Sequence, residues 1–385
     1  MARILISSTD VMMIQFIVPH IQYLSTKGHF IDVACSRAAG YTKEGYQDFI
    51  KKSLPDNSKY YDITLERNPF SSSITIGYKQ IKSIIERNNY DLIWTNEPMM
   101  SITTRLAARN AKNNKAKLLY LVHGYHFFKG APFINWLAYP IEWYMSRYCD
   151  AMCMINWVDY NFTKKHFPKV PVYHIDGIGL NVEKFYNVQI DRDEKRKSLG
   201  LKESDIAVLS VGELQIRKNH IAIVRAIASL NNPNIKYIIC GCGALEGFLK
   251  DSAKKLGIEN QLILLGHRYD IPEILKAVDI FAHPSQREGL GIASIEAMAS
   301  GLPIVTSNVQ GIPDYSKNGI TGFCIEPNDV DGYAKAINAL IHDTALREKM
   351  GKNNIDASRK FDILNSRIQV ESVIDHVLND NRTLC

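Results

Sequence analysis

The chain has 385 residues, of which 46% are hydrophobic and 22% charged; this is the balance of a soluble globular protein, and the length is too great for a single compact core. Its net charge of +6 lies in the first half, because residues 1–180 hold 21 Lys and Arg against 14 Asp and Glu while the remainder is close to neutral. This asymmetry predicts an anionic partner for the first half, either a phosphate-bearing substrate or a lipid headgroup, whereas no basic run is dense enough to indicate nucleic acid.

From the N-terminus onward, short apolar runs alternate with segments long enough to form crossover helices. Seven of these runs fall in the first half, at residues 3–7, 30–36, 61–65, 91–97, 118–124, 151–156 and 172–177. Several are continuously apolar, as is typical of strands buried on both faces of a parallel sheet. Residues 1–180 are therefore predicted to form a doubly wound, Rossmann-like α/β domain.

An aromatic segment, residues 127–148, follows the fifth run and has two open interpretations. The first is an amphipathic core helix with a lid. The second is a surface at a membrane interface, in which Phe127, Phe128, Trp136 and Trp143 enter the headgroup region beside nearby cations. Because a lipid-linked substrate would need such a surface, a peripheral contact with an anionic membrane stays open.

A polar, charged stretch at 181–204 separates the two halves and is predicted to be a linker. Six further strand-like runs follow, at residues 205–213, 235–243, 262–267, 279–285, 303–307 and 322–326. They predict a second Rossmann-like domain over residues 205–361. Apolar residues at helical spacing predict a C-terminal helix in 362–385 that packs back toward the N-terminal domain. Two such domains would face each other across a cleft lined by the carboxyl ends of their strands.

Two cations, Arg217 and Lys218, stand between a strand and a helix in the segment VGELQIRKNH. Fixed cations at this point can hold a diphosphate and stabilise the charge that develops as it leaves. A solvated basic helix start is the alternative. Cations gain nothing from a helix N-terminus, so a bound anion explains the pair better.

The segment QREGLGIASIEAMAS has two acids, Glu288 and Glu296, around a glycine turn. The backbone amides of Gly289, Leu290 and Gly291 predict a phosphate site at the helix start, since the glycines carry no Cβ to block close approach. Glu296 is predicted to accept hydrogen bonds from a ribose diol, and Glu288 to reach the group beyond the phosphate. Two acids at this spacing are usually surface residues, but the surrounding strand, turn, helix and Gly-x-Pro stop favour the functional interpretation.

The sequence HPSQREGLGIASIEAMASGLPIV, with SVGELQIRKNH and LGHRYD before it, resembles the signature of the retaining glycosyltransferases of family 4, also called group 1. The resemblance is strongest over about residues 205–340. In the first half, LVHGYHFFKGAP resembles members that assemble bacterial capsule and exopolysaccharide. The resemblance implies a GT-B fold, two Rossmann-like domains facing across a cleft, and a nucleotide-sugar donor whose carrier is UDP, with GDP as the second choice.

The resemblance also implies roles for individual residues. His123, at the end of the fifth run, matches the family histidine that contacts the donor sugar or its phosphate. Gly241 and Gly243 match a turn that lines the nucleotide pocket, and Arg268 lies in the segment whose backbone usually meets the base. Ser285, just before the glycine turn, is placed with these donor-binding residues.

The chain departs from the family pattern in two places. Glu213 follows the first glycine of VGELQIRKNH, where the commoner pattern has Arg, and Arg217 is expected to take that role. The usual glycine-rich loop after the first strand is replaced by SSTD at residues 7–10, whose hydroxyls could still serve a phosphate.

Metal ligands are not evident in the sequence, since no DxD motif ends a strand and no Cys/His cluster occurs. The cations of the site are expected to replace a metal, so no cofactor is predicted. Seven cysteines without paired CxxC units predict buried free thiols in a reducing cytoplasm. With neither a signal-peptide pattern nor an apolar stretch of roughly 18 residues, a cytoplasmic protein is predicted, in the second interpretation peripheral on the inner face of the membrane.

The sequence therefore predicts a retaining transferase that moves a sugar from a nucleotide-diphosphate sugar to a saccharide hydroxyl. A lipid-linked oligosaccharide of capsule, exopolysaccharide or O-antigen synthesis is the expected acceptor. The catalytic candidates are Glu288, His123, Lys218 and Arg217. Two alternatives stay open: a nucleotide-sugar epimerase of the same architecture, and a non-catalytic subunit that binds a nucleotide or a polyisoprenyl phosphate.

Overall fold

The structure is a computed structural model that describes residues 1–36, 46–167 and 169–380. The chain divides into two compact units, one of Met1–Gly179 with Ile363–Cys385 and one of Leu180–Asp362. Each unit has its own parallel sheet, with helices between successive strands. The predicted pair of doubly wound α/β domains is therefore present.

The first unit alternates strands and helices from its N-terminus. Its strands are β1 (Arg3–Ser8), β2 (Phe30–Ser36), β3 (Tyr60–Ile63), β4 (Leu92–Asn96), β5 (Lys117–Val122), β6 (Ala151–Met154) and β7 (Val172–His174). Its helices are α1 (Val11–Thr26), α2 (Tyr46–Ser53), α3 (Ser73–Arg87), α4 (Pro98–Asn110), α5 (Ala138–Ser146) and α6 (Trp157–His166). The strands lie in the order β3-β2-β1-β4-β5-β6-β7. Central strands such as β1 and β4 are buried on both faces, which explains their unbroken apolar runs.

The aromatic segment after β5 contains both buried and exposed side chains, so each interpretation of its sequence applies to part of it. Phe127 is 2% exposed and stacks on Tyr125 with 4.5 Å between ring centroids, and Trp136 packs against the same core. Phe127 is therefore a core residue and not a membrane wedge, and Trp136 is partly buried against the same aromatic cluster beside α6. An exposed aromatic face nevertheless remains on α5 and the preceding 3-10 turn, formed by Phe133, Ile134, Leu137, Ile141, Trp143 and Tyr144.

The C-terminal helix, Ile363–Asn379, belongs to the first unit. Ser366 Oγ donates a hydrogen bond of 2.8 Å to the carbonyl of Gly177, and Ile374 is fully buried on the same helix. The apolar spacing seen in the sequence thus supplies the buried side of this helix. Residues 381–385, the last part of the predicted segment, lie outside the described residues.

The second unit repeats the alternation. Its strands are β8 (Ile206–Val211), β9 (Ile235–Cys240), β10 (Leu262–Gly266), β11 (Ile280–His283), β12 (Ile304–Ser307) and β13 (Gly322–Ile325). Its helices are α7 (Glu183–Tyr186), α8 (Arg192–Ser198), α9 (His220–Ser229), α10 (Glu246–Lys255), α11 (Ile271–Ala277), α12 (Ile292–Ala299), α13 (Val330–His342) and α14 (Thr344–Ser358). The strands lie in the order β10-β9-β8-β11-β12-β13.

The stretch 181–204, expected to be a linker, contains α7 and α8 and lies within the second unit. Arg196 of α8 is 4% exposed, and its guanidinium donates to the carbonyl oxygens of Asp205 at 2.5 Å and Ala277 at 3.0 Å. The polar composition that suggested a linker therefore includes a buried arginine that fastens α8 to the rest of the unit.

Each sheet has one point at which the strand order reverses direction. In the first unit β1 lies between β2 and β4, and in the second β8 lies between β9 and β11. Loops leave the carboxyl ends of the two central strands on opposite faces there, which opens a crevice in which α/β proteins bind ligands. The loops after β8 and β11 carry Arg217, Lys218, Ser285 and Glu288, and these loops form the centre of the candidate site.

Candidate active site

The loops after β8 and β11 are joined through their backbones. The amide of Gln286 donates to the carbonyl of Arg217 at 2.8 Å. Asn219 adopts a left-handed conformation with φ of 53°, and its Nδ2 donates to the carbonyl of Pro284 at 3.1 Å. Asn tolerates this backbone region better than most residues. The two loops therefore form one unit around the switch point.

An ion pair between Lys218 and Glu288 forms the centre of the site. Lys218 Nζ lies 2.6 Å from Glu288 Oε2, and both side chains are mostly buried. The same oxygen is 3.2 Å from His283 Nε2 and 3.4 Å from Ser285 Oγ. The carboxylate that the sequence assigned to the donor sugar is thus already held by a cation, an imidazole and a hydroxyl.

These contacts fix the charges of the pair. Burial alone would raise the pKa of Glu288, but the attraction of Lys218 and the hydrogen bond from His283 outweigh it, so the pKa lies well below its usual range. Burial lowers the pKa of His283, and Lys218 lowers it further. His283 is therefore neutral near pH 7, and its Nε2–H donates to the ionised Glu288.

The glycine turn before α12 has the geometry of an anion site. Gly291 has φ of 85°, and a Cβ there would lie 2.8 Å from the Tyr315 hydroxyl and 3.1 Å from Glu288 Cγ. No side chain caps α12, so the first amides of the helix, including that of Ile292, are open to an anionic group. Leu290, also in this turn, is buried.

Glu288 and Gly289, at the start of the glycine turn, already have interactions within the protein. The amide of Glu288 already donates to Gln310 Oε1 at 3.1 Å. Gly289 has an interaction of its own within the protein. The amides of α12 are for this reason the stronger candidates for phosphate contacts.

Two further arginines lie near Lys218. Arg217 Nη2 donates to Glu213 Oε2 at 2.7 Å, so the acid that replaces the usual family arginine neutralises part of the charge of Arg217. Burial lowers the pKa of Arg287, and repulsion from Arg217 lowers it further, which places the two guanidinium groups within electrostatic reach of each other. Arginines brought this close favour a bound anion.

Glu296 lies inside α12, past the glycine turn. Its carboxylate has no hydrogen-bond partner in the part of the chain that the structure describes. Burial raises its pKa to about 7, and attraction to Lys184 of α7 opposes this only in part. A carboxylate in this state gains from hydroxyl donors, because their hydrogen bonds favour its ionised form.

The glycines of the CGCG turn bring two loops into contact. A Cβ on Gly241 would lie 1.9 Å from the carbonyl oxygen of Gly212, and one on Gly243 would lie 2.5 Å from that of Leu214. The amide of Leu214 donates to Cys242 at 3.0 Å. These contacts require glycine for the packing of the loop after β9 against the loop that carries Lys218.

Arg268, after β10, is engaged away from this centre. Its Nε and Nη2 donate to Asp270 at 2.7 Å and 2.5 Å, and Lys195 donates to the same carboxylate at 2.6 Å. The contacts of Arg268 are those of a local ion network, and its guanidinium makes none to the Lys218–Glu288 pair.

His123 lies in the first unit, at the end of β5. Its Nε2 is 3.0 Å from Asn96 Oδ1 at the end of β4, so the imidazole donates from that nitrogen. Burial lowers the pKa of His123 to about 4, and the ring is therefore neutral at pH 7. His126 and Lys129, which follow it, are exposed.

The SSTD segment after β1 forms a closed polar cluster. Ser8 Oγ and the amide of Thr9 donate to Glu97 Oε2 at 2.5 Å and 2.7 Å. Arg67 Nη2 bridges Glu97 at 3.1 Å and Asp10 at 2.7 Å. Asp10 also caps α1, so a carboxylate occupies the start of this helix, where the sequence suggested that hydroxyls could bind a phosphate.

Sequence reasoning missed four residues of the second-unit site: His283, Asn219, Arg287 and Tyr315. His283 had a usable signal, because a histidine at the carboxyl end of a buried strand faces the ligand edge of the sheet. Asn219 and Arg287 adjoin residues already selected. Tyr315 had no signal, since it comes from a different loop and reaches the glycine turn only in the folded chain.

Among the residues that the structure describes, no group of three or more His, Cys, Asp or Glu side chains is arranged to hold a metal ion.

The chain is similar to known glycosyltransferases over both halves. Residues 191–357 match the family model described as Glycosyl transferases group 1, and residues 4–156 match Glycosyl transferase 4-like. EpsD of Bacillus subtilis (strain 168), which carries a glycosyltransferase name, is 32% identical over 351 residues, 90% of this chain and 89% of that protein. The UDP-Gal:alpha-D-GlcNAc-diphosphoundecaprenol alpha-1,3-galactosyltransferase of Escherichia coli is 32% identical over 288 residues, 71% of this chain and 74% of that protein.

Solved structures show the same architecture. Anabaena Alr3699/HepE in complex with UDP and glucose matches with a TM-score of 0.79 at 19% identity, covering 97% of this chain and 100% of that one. Sucrose-phosphate synthase (tll1590) from Thermosynechococcus elongatus matches with a TM-score of 0.81 at 16% identity, covering 98% and 99%. The two Rossmann-like domains of the GT-B fold are thereby confirmed. The chain belongs to the group 1 glycosyltransferases and is a glycosyltransferase.

Proposed function

We propose that the protein transfers a sugar from a nucleotide-diphosphate sugar, with UDP as carrier, to a saccharide hydroxyl with retention of configuration. The observation that carries this proposal is the arrangement at the second-unit switch point. There Lys218 and Arg217 stand beside the uncapped start of α12, while Glu296 of the same helix has an unsatisfied carboxylate among the described residues. Cations and free amides suit a diphosphate, and the carboxylate suits a ribose diol.

In this proposal the donor diphosphate lies at the start of α12. Lys218 and Arg217 stabilise the negative charge that develops on the diphosphate as the bond from the sugar anomeric carbon to the phosphate oxygen breaks. The acceptor oxygen forms the new bond on the same face, and its proton passes to the departing phosphate oxygen. In this proposal no protein carboxylate serves as a nucleophile, and Glu288, held by Lys218, His283 and Ser285, orients Lys218 and the donor sugar.

His123 is proposed to touch the donor sugar or its phosphate as a neutral imidazole. Its low pKa and its bond to Asn96 leave the ring uncharged, so it acts through hydrogen bonding. Gly289, Leu290, Gly291 and Ser285 are proposed donor-binding residues around the phosphate. The contacts of Gly241, Gly243 and Arg268 support only an indirect part, through loop packing and a local ion network.

Nucleotide-dependent thermal stabilisation tests the donor site. A ligand at a hundredfold its dissociation constant should add about 2.7 kcal/mol to the free energy of unfolding. UDP is expected to raise Tm without added Mg²⁺, since the protein supplies the positive charge, and Glu296→Gln should reduce the shift. Lys250→Ala, at an exposed lysine of α10, is the matched control.

Each result of this test has a definite meaning. A shift with GDP but not UDP would change the carrier and keep the site. No shift with any nucleoside diphosphate would contradict the proposal and favour a non-catalytic subunit. Product analysis after incubation with donor alone separates an epimerase, which would convert the sugar without an acceptor.

The proposed acceptor is a lipid-linked saccharide, as in the name of the Escherichia coli relative. The exposed aromatic face on α5 supports a peripheral membrane contact of a cytoplasmic protein. Arg147 stacks on Tyr144 at 4.5 Å and on Trp143 at 5.3 Å, so a cation lies among the exposed rings. Apolar side chains with a basic rim bind anionic bilayers at the interface. No described helix is long and apolar enough to cross a bilayer.

Vesicle sedimentation tests the membrane contact. We expect binding to vesicles with about one-third phosphatidylglycerol and weaker binding to phosphatidylcholine alone, because Arg147 gains about 1 kcal/mol near an anionic surface. The double variant of Leu137→Ser and Ile141→Ser should weaken binding about tenfold. Phe70→Ser, at a 94% exposed side chain of the same unit, is the matched control. Equal binding by the double variant and the control variant would exclude this face.

A further inference from the structure

Two buried hydroxyls lie against each other at the start of α12. Tyr315 is 3% exposed and Ser294 is fully buried, and apart from each other neither hydroxyl has a partner among the described residues. Ser294 is within hydrogen-bond reach of the Tyr315 hydroxyl, and two hydroxyls that bond each other still leave one O–H without an acceptor. Buried polar groups are nearly always satisfied in native proteins, so such a pair calls for an explanation.

The Tyr315 hydroxyl is directed at the glycine turn. Its oxygen is the atom nearest to the point where a Cβ of Gly291 would be, at 2.8 Å, and Glu288 Cγ is the next nearest atom at 3.1 Å. The ring is held in this position, because it packs edge-to-face against Phe361 at 6.0 Å and the carbonyl of Tyr315 accepts from Thr321 Oγ1 at 3.1 Å. The hydroxyl is thus fixed at the turn.

We propose that the hydroxyls of Tyr315 and Ser294 donate hydrogen bonds to the diphosphate of the nucleotide sugar at the glycine turn. This inference rests on the proposed function and adds two donor-binding side chains to it. An O–H donor to an anionic oxygen makes one of the stronger hydrogen bonds in proteins. In the free protein the pair leaves an O–H without an acceptor, and this O–H would gain one when the phosphate oxygens arrive, which makes binding more favourable.

The charge state of Tyr315 agrees with a donor. Burial holds the pKa of Tyr315 well above its usual range, with only slight opposition from Ser294, so the phenol keeps its proton at neutral pH. Ser294 is on the first turn of α12, where its amide already donates to the carbonyl of Gly291 at 2.9 Å. Its hydroxyl therefore adds a side-chain donor beside the open amides of the helix start.

Tyr315→Phe removes one hydroxyl and leaves the ring in place. We expect Tm without ligand to change little, because the loss of a buried O–H without an acceptor offsets the loss of its contact with Ser294. UDP should bind about tenfold more weakly, which corresponds to about 1.4 kcal/mol. Uridine should bind as it does to the wild type, since it has no phosphate. Calorimetric titration with UDP and uridine measures this ratio, which a purely structural role would leave unchanged.

Ser294→Ala provides a second, independent variant and should weaken UDP binding about fivefold, again without effect on uridine. The matched control is Tyr333→Phe, because Tyr333 in α13 is also fully buried and its hydroxyl likewise meets only a serine, Ser307, among the described residues. It should leave both affinities unchanged.

The failure of this inference is distinguishable from that of the proposed function. Wild-type affinity for UDP in both Tyr315→Phe and Ser294→Ala would overturn the inference and leave the donor site intact. A lower Tm with equal loss of UDP and uridine binding would assign the hydroxyls to folding and overturn it as well. Absence of UDP binding by the wild type would contradict the proposed function itself.

Discussion

At the switch point of the first unit the charged side chains are bound to one another. At the switch point of the second unit, several polar groups have hydrogen-bonding capacity that the described residues do not use. In the first, Glu97 accepts from Ser8 and Thr9, and Arg67 joins it to Asp10, which caps α1. Only the Thr9 hydroxyl lacks a partner among the described residues of this cluster. The first switch point is thereby closed on itself and acidic.

The second switch point has a complete ion pair at its centre, surrounded by polar groups with unused hydrogen-bonding capacity. Lys218 and Glu288 hold each other, but within the described ranges the Glu296 carboxylate has no hydrogen-bond partner, the hydroxyls of Ser294 and Tyr315 have none beyond each other, and α12 has no side-chain cap. The same strand-order reversal therefore supports two outcomes. Position in the fold marks where a ligand can bind, and unsatisfied polar groups indicate which of the two points is built for an anion.

The largest expected effect is that of Lys218→Ala. This change removes the cation nearest to the developing phosphate charge and leaves Glu288 without its ion-pair partner, so we expect kcat to fall about 10²- to 10³-fold. Steady-state sugar transfer measures it, with Lys250→Ala as control. Turnover within about threefold of the wild type would contradict the assignment of the donor phosphate to the second switch point.

The next effect concerns stability in the first unit. Glu97 is buried at φ of 59° and ψ of 147°, a region that only glycine occupies readily. Glu97→Ala should cost about 3 kcal/mol in the free energy of unfolding, because Ser8, Thr9 and Arg67 lose their acceptor. Glu97→Gly should cost about 1 kcal/mol less, since the backbone strain is relieved. Urea denaturation measures both.

The same two variants sharpen the comparison when UDP is added. Both should keep the UDP-induced rise in Tm of the wild type, because the first switch point has no part in the proposed diphosphate site. Loss of the UDP shift in Glu97→Gly, the milder variant, would show that the acidic cluster does contribute to donor binding.

A smaller effect follows from the titration of Glu296. Its pKa is about 7 in the folded protein and 4.5 in the reference state, so between these values the native state binds more protons than the unfolded state. The contribution of Glu296 to the free energy of unfolding should therefore fall as pH rises from about 4.5 to about 7, by at most about 1.4 kcal/mol per pH unit. Buried histidines such as His123, whose pKa is lowered to about 4, contribute in the opposite direction over much of this range. The measured quantity is therefore the difference in slope between the wild type and Glu296→Gln, obtained by thermal denaturation across this range.

The pH dependence of UDP binding gives the corresponding result for the ligand. Ribose hydroxyls bind the ionised carboxylate, so UDP affinity should rise with pH up to about 7 and lose that part of its dependence in Glu296→Gln. An identical profile in both proteins would separate Glu296 from the ribose.

The smallest expected effect is that of Arg268→Ala. Its guanidinium is engaged with Asp270, which retains Lys195 as a partner, so the free energy of unfolding should change by less than about 1 kcal/mol. UDP affinity should change less than about threefold. A tenfold loss of UDP affinity measured by calorimetry would contradict this prediction and support a place for Arg268 in the nucleotide pocket.

The sequence by itself determined the alternation of strands and helices, because strands buried on both faces need unbroken apolar runs. It also selected the glycine turn with Glu288 and Glu296, and the cations Arg217 and Lys218, since these lie in short segments at strand ends. The family resemblance followed from the same segments. Local patterns suffice when the residues of a feature are close along the chain.

Only the tertiary structure decided which distant residues meet. Tyr315 reaches the turn of Gly291 from another loop, and Arg67 joins Asp10 to Glu97, which follows a neighbouring strand. The structure also showed that the stretch 181–204 contains two helices and that Arg196 of α8 donates to buried carbonyls outside the stretch. Hydrogen-bond satisfaction depends on partners brought together by folding, so sequence can propose a polar residue but cannot tell whether its bonds are already taken.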